Sequence, residues 1–155
     1  MNKIIVVFGI LLALIAGIAF YQYNVSKKSQ PQMKTTGKAT IGSHTFNIEV
    51  VKDSKAQQIG LTKYSGLQEN QGMLFIFPNP GMYGFWMRGM KFPIDMIFIN
   101  NNKVVSTNEN LQPIKTDAKN ISIYEPAAPA DNVLEIKAGL VKKYNIKKGD
   151  TVKIQ

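Results

Sequence analysis

GFWMRGMKFPIDMIFINNNKVVSTN, residues 84–108, reads as strand, strand, turn, strand. Phe92–Ile99 is a run of apolar and β-branched residues. Three consecutive Asn at 100–102 supply a turn, and Lys103–Asn108 returns as the second arm of a hairpin. Gly89 and Pro93 interrupt the apolar run ahead of it, so Gly84–Arg88 is predicted as a separate strand. The stretch also holds the chain's single Trp, its single Arg, and an acid, Asp95, among apolar neighbours.

The flanking sequence repeats this pattern. KATIGSHTFNIEVVK, residues 38–52, reads as a hairpin around Gly42-Ser43, with His44 beside the turn at the surface. Ser54-Lys55-Ala56-Gln57 matches a capping box and predicts a short helix over 54–60. MLFIF, residues 73–77, is wholly apolar between Gly72 and Pro78, which suits a strand covered on both faces, and PNPGMYG (78–84) reads as a loop. Downstream, ISIYE (121–125), NVLEIK (132–137) and TVKI (151–154) read as strands, and AGLVKKYN as a second short helix. The expected fold class is mainly β: one antiparallel barrel or sandwich-like domain of about eight strands with two short helices.

Ahead of this domain lies a different kind of sequence. Ile4–Tyr21 is an 18-residue run without a charged side chain. As a helix it spans about 27 Å, enough for a bilayer core. Tyr21 and Tyr23 fall where an interfacial aromatic belt lies. Gly17-Ile18-Ala19 offers a small-x-small tripeptide, so a cleaved signal peptide is the alternative to an anchor. The expected division is an anchor or signal peptide over 1–23, a polar linker over 24–37, and the β domain over 38–155. Lys27, Lys28 and Lys34 against Lys3 and the amino terminus would, counted alone, place the domain in the cytoplasm. The signal-like character of the segment places it outside, and an extracytoplasmic domain is the expectation. The bilayer, through residues 4–21, is then one partner.

The formal charge is +9. From Lys38 onward there are 15 cations against 10 anions, and the densest cluster, Lys142, Lys143, Lys147 and Lys148, has the look of a solvated face. Nucleic-acid recognition adds Arg or stacking aromatics to such a face; here Tyr144 stands alone, and no nucleic-acid partner is expected. The chain has no Cys and one His. That excludes disulfides, thiolate metal sites and cysteine nucleophiles. No cofactor is expected: there is no phosphate-binding Gly-rich loop, no serine-nucleophile elbow and no EF-hand spacing.

GMLFIF, GFWMRGMKFPIDMIFI, NVLEIKAG and IKKGDTV, in that order, resemble the domain-of-unknown-function 192 family, also called the uncharacterised protein family 0127, over roughly Ile48–Val152. The resemblance implies a small exported or anchored bacterial or archaeal β domain, and names no activity. The matching positions are Gly60, Leu61, Gly72, Met73, Phe75, Phe85, Trp86, Met87, Arg88, Pro93, Asp95, Leu134, Glu135, Gly139, Gly149 and Asp150. The family's usual Asn-Thr is Gly89-Met90 here, and its usual Met after Gly60-Leu61 is Thr62.

These residues define the candidate site. Trp86, Met87, Arg88, Asp95 and Glu135 are the expected ligand-binding set, with Trp86 as an apolar wall and the two acids as polar anchors. An ion pair of Arg88 with Asp95 or Glu135, holding the fold rather than a ligand, is the structural alternative. Asp95 and Glu135 facing each other across a cleft would suit glycan hydrolysis. Met82, Met87 and Met90 are thioethers that could take Cu(I), although methionine is also ordinary core filler. The expected role is binding of a small ligand or envelope polymer, with a hydrolase or a structural accessory domain as alternatives.

Overall fold

The computed structural model describes residues 2–28 and 31–155, with side-chain environments for 7–24 and 31–155. It divides into two units, Met1–Pro31 and Gln32–Gln155.

The first unit is helix α1 (Asn2–Lys28). Its stretch Val7–Asn24 is long and apolar enough to be a membrane anchor or a signal sequence. A linker is expected over 24–37. Residues 24–28 continue the helix, and residues 29 and 30 lie outside the described residues. Thr36 is already tied to the domain: its amide donates to the Ile48 carbonyl at 2.8 Å and its Oγ1 accepts from Val50 N at 2.8 Å.

The second unit is a seven-stranded sheet. The strands are β1 (Gly37–Ile41), β2 (His44–Val51), β3 (Gln71–Gly81), β4 (Ile94–Asn100), β5 (Lys103–Leu111), β6 (Ala130–Lys137) and β7 (Val152–Ile154), in the spatial order β5-β4-β6-β3-β2-β1-β7. The sheet curls until its two edges meet. Val152 N donates to the Asn102 carbonyl at 2.9 Å and Val104 N to the Asp150 carbonyl at 3.0 Å. The mainly-β barrel-like class read from the sequence is the observed one.

Strand alternation builds two cores. Ile41, Ile48, Leu74, Ile97, Leu134 and Val152 belong to a cluster to which every strand contributes, the enclosed side of the curl. Met73, Phe75, Met96, Phe98 and Val133 face the other way, under helix α2 (Ser54–Ile59), a 3-10 turn (Gly60–Lys63) and the segments between β3 and β4 and between β5 and β6. β4 is therefore buried on both faces, as its uninterrupted apolar run requires.

Four local readings are corrected. Residues 84–88 are not a strand but an extended loop, pinned by single bridges of Phe85 to Tyr124 and Arg88 to Ile114; ISIYE is the other side of the first bridge, not a strand. The sheet already has its full set of neighbours, so these segments cover a face instead of joining it. The sheet is not wholly antiparallel: β2 and β3 are parallel, Ile48 opposite Gly72, because α2 and the 3-10 turn form a crossover between them. The α2 cap is Asp53, whose carboxylate accepts from Ala56 N at 2.8 Å, while Gln57 donates instead to the Ile76 carbonyl at 3.1 Å. Finally, β3 continues to Gly81, beyond the expected end at Phe77. The lysine cluster is exposed, with Lys143 paired to Glu69 at 2.7 Å.

Asp95 is part of this framework. It is fully buried on the enclosed face. A register shift between Ile94 and Met96 puts one extra residue on β5 and leaves Asn110, at φ 51°, out of the ladder. Asp95 Oδ1 accepts from the Asn110 amide at 2.7 Å, and Oδ2 accepts from Val141 N at 2.8 Å. Val141 lies in the first turn of helix α3 (Leu140–Lys143), whose N-cap is Gly139 and has no side chain to serve it. Asp95 thus caps a helix and satisfies a bulge from one position. Asp95→Asn would place an NH2 group against one of these donors. It should lower the unfolding free energy of the 32–155 unit by about 2–4 kcal/mol in urea titration; an unchanged midpoint would remove this role.

Candidate functional site

On β6 the residue before Ile136 points away from Asp95. Asp95 pairs with Ile136, and Met96 pairs with Glu135. Met73 of β3 is opposite Glu135 on the other side. Glu135 therefore stands between two methionines on the face covered by α2 and the loops, and only 5% of its surface is exposed. That remaining surface opens into a cleft of about 260 Å³.

The walls of the cleft are aromatic. Phe75 and Phe77 project from alternate positions of β3; Tyr83, Phe85 and Trp86 come from the pinned loop. Phe75 and Phe85 meet edge to face at 5.3 Å between centroids, and Phe77 stacks on Tyr83 at 3.8 Å. Helix α2 and the 3-10 turn supply Gln57, Gln58, Ile59, Leu61 and Thr62 on the opposite side. The 3-10 turn is held by Glu49 of β2, which accepts from Lys63 Nζ at 2.7 Å and from the Tyr64 hydroxyl. In the second unit the exposed large apolar residues are Ile59, Met82, Trp86 and Ile123. Ile59 and Trp86 line the cleft, Ile123 abuts Gly84 on its wall, and Met82 adjoins Tyr83. The domain's apolar exposure gathers at this mouth.

The electrostatics centre on Glu135. Burial pushes its carboxyl up from the ordinary 4.5 to about 8. No neighbouring charge or hydrogen bond among the described residues opposes this, so near neutrality the group is mostly protonated. Glu49 behaves differently. Burial alone would raise it, but the bonds from Lys63 and Tyr64 more than offset that and hold its carboxyl below the usual range.

The expected site residues are thus separated. Trp86, 48% exposed, and Glu135 share the cleft, and Arg88 lines its edge. Asp95 does not belong to it: strand parity and register put it on the opposite face, with both oxygens occupied by backbone amides. Met87 is fully buried in the core. The Arg88 ion pair is absent among the described residues; its guanidinium donates to the Ala118 carbonyl at 3.1 Å and is exposed. Met82 is exposed, Met87 buried and Met90 on the cleft, three different environments. Among the described residues no group of three or more His, Asp or Glu is placed to hold a metal ion. Sequence reasoning found Trp86 as a wall and missed Phe75, Phe77, Tyr83 and Phe85 beside it. Part of the signal lay in β3, where Phe75 and Phe77 share one parity within the expected strand.

A family model described as "Uncharacterized ACR" matches residues 35–154. The chain belongs to the domain-of-unknown-function 192 family. None of the curated proteins matches it. Among solved structures, it is similar to a protein of unknown function from Novosphingobium aromaticivorans DSM 12444. That protein is 32% identical, with a TM-score of 0.68, over 75% of this chain and 83% of its own. It is also similar in fold to a proposed transcription regulator from Sinorhizobium meliloti 1021, 24% identical with a TM-score of 0.69, over 79% of this chain and 97% of its own. Two of the chain's three departures from the family pattern fall on the cleft. Thr62 and Met90 both line it, so the methionine absent at one position is present at the other. Gly89 has φ 76°, a left-handed conformation that Gly adopts freely and Asn tolerates, which accounts for Gly in the family's Asn position.

The raised Glu135 fixes a pH dependence. The folded state holds a proton that the unfolded state releases near 4.5, so stability is greatest below that pH and falls as pH rises towards 8. Glu135→Gln should leave the stability of the 32–155 unit nearly unchanged at pH 5 and raise it by about 3–5 kcal/mol at pH 9, measured by urea titration. Parallel pH profiles for the two proteins would show the carboxyl to be solvated or paired.

Proposed function

We propose that this protein is a ligand-binding module held at the extracytoplasmic face of the membrane by its N-terminal helix, and that the cleft over Glu135 is its binding site. One observation carries this reading: a buried carboxyl without a partner among the described residues, opening only onto an aromatic cleft. Such a group lowers stability and contributes nothing to packing, and native cores pair or omit buried acids. Retaining it is understandable where a ligand supplies the missing partner. Apolar walls with one convergent polar group are the usual composition of a small-molecule site. The helix supports the location: its apolar stretch is of spanning length, and Lys3 ahead of it gives the character of an export signal.

Hydrolysis by paired carboxylates loses its support, because Asp95 and Glu135 lie on opposite sides of the sheet. The cleft is lined by one acid, Glu135, and an aromatic wall, a composition that suits binding.

Two measurements test the reading. Alkaline phosphatase fused after Gln155 should be active in cells, and a fluorescent protein that matures only in the cytoplasm should stay dark; the reverse pattern would put the domain inside. Trp86 is the chain's single Trp and lines the cleft, so its emission reports on occupancy alone. A fragment set of cations, anions and neutral aromatics should contain members that shift that emission to the blue. Trp86 emission indifferent to every fragment would sink the binding assignment.

A further inference from the structure

The chemistry of the cleft also restricts what it can hold. Its floor is a carboxyl with no cation beside it, and its walls present ring faces and edges from Phe75, Phe77, Tyr83 and Phe85. Ring faces attract cations through their quadrupole, and aromatic enclosures with an acid are how proteins hold ammonium groups. The charged and titratable groups around Glu135 leave this cation place unfilled. Met73 and Met96 flank it across the strands, Lys137 is the next residue on its own strand face and is exposed, and Tyr83 and Arg88 complete the lining. Arg88 is directed at the Ala118 carbonyl, and no charge contributes to the state of Glu135.

We propose that the ligand is an organic ammonium ion, seated against the Phe75, Phe77 and Phe85 rings with Glu135 as its counter-charge; this rests on the binding reading above. At about 260 Å³ the cleft is smaller than the ~300–1,000 Å³ typical of drug-sized ligands. It therefore takes a small amine or the amine-bearing end of a larger molecule. Arg88 at the edge suits a polar or anionic group on the part that remains outside.

Binding of a cation requires Glu135 in its charged form, so the bound state releases a proton. With the free group near 8, affinity for a permanently charged cation should rise roughly tenfold per pH unit up to about pH 8 and level off above it. An uncharged ligand of the same shape should show no such rise.

The test uses the full chain in a maltoside detergent, titrated with benzyltrimethylammonium, benzylamine, benzyl alcohol and benzoate, and read by Trp86 emission and calorimetry at pH 6, 7 and 8.5. The expected result is binding of at least one of the two cations in preference to the alcohol and benzoate, affinity for the quaternary ion rising with pH if it is the one held, and loss of cation binding in Glu135→Gln with binding of benzyl alcohol retained. Because Glu135→Gln puts a neutral amide of the same size where a mostly protonated acid stood, it keeps the fold while removing the group that can become the counter-charge. Benzyl alcohol or benzoate binding as tightly as the cations, or in their place, would overturn the ammonium assignment while leaving the cleft a binding site. Silence towards all four probes would overturn both.

Discussion

The register between β4 and β6 governs the rest of this molecule. Met96 stands opposite Glu135 and Asp95 opposite Ile136, so two acids on neighbouring strands point to opposite faces of one sheet. Both faces are covered, so Asp95 is accommodated away from water and Glu135 meets it only through the cleft. The enclosed face solves this with backbone amides: a bulge in β5 and the first turn of α3 each direct an N–H at Asp95. On the covered outer face Glu135 stands between two methionines under an aromatic cleft, and no hydrogen bond to it forms among the described residues. One acid is therefore a fastening, and the other has no protein partner among the described residues.

That contrast depends on what each acid touches more than on burial as such. Glu49 is also partly buried, yet the bonds from Lys63 and Tyr64 favour its charged form, and in return it fixes the 3-10 turn that forms one lip of the cleft. Asp95 and Glu49 both convert polar groups into connections between elements distant in sequence. Glu135 makes no such connection. Its cost is carried by the surrounding sheet, where side chains such as Phe98 and Ile97 are wholly buried and contribute about 1.5–3 kcal/mol each. A site of this kind can persist only in a core that is otherwise well satisfied.

Much of the fold was legible because it follows from local chemistry. The hairpins at Gly42-Ser43 and Asn101-Asn102, the twofold burial of Met73–Phe75 and the parity of Asp95 with Ile97 and Ile99 are consequences of alternation and turn residues. The direction of β3 was not legible, since a crossover of α2 and a 3-10 turn can lead into a parallel or an antiparallel neighbour. Nor was the state of residues 84–88: an apolar extended segment reads the same whether it pairs in a ladder or lies across a sheet. The candidate site failed at one specific place. Parity within each strand follows from alternation for Asp95 and for Glu135, but whether the two faces coincide is set by register between strands, and register is a tertiary property.

The loop over the cleft is attached so that its cleft-facing residues can change without damaging the fold. Residues 84–90 hang from two isolated bridges, with Met87 inserted into the core as the anchor and Phe85, Trp86, Arg88 and Met90 distributed along the cleft. The sheet needs Met87 in place; it does not need any particular chemistry at 90. Thr62 beside Gly89, with Met90 on the same cleft, exchanges a thioether from one lip to the other while the walls of β3 stay where they are. Exchanges of this sort reshape the mouth and leave Glu135 on its floor. The register of β4 and β6 thus fixes where the acid is, and the loop shapes the cleft above it.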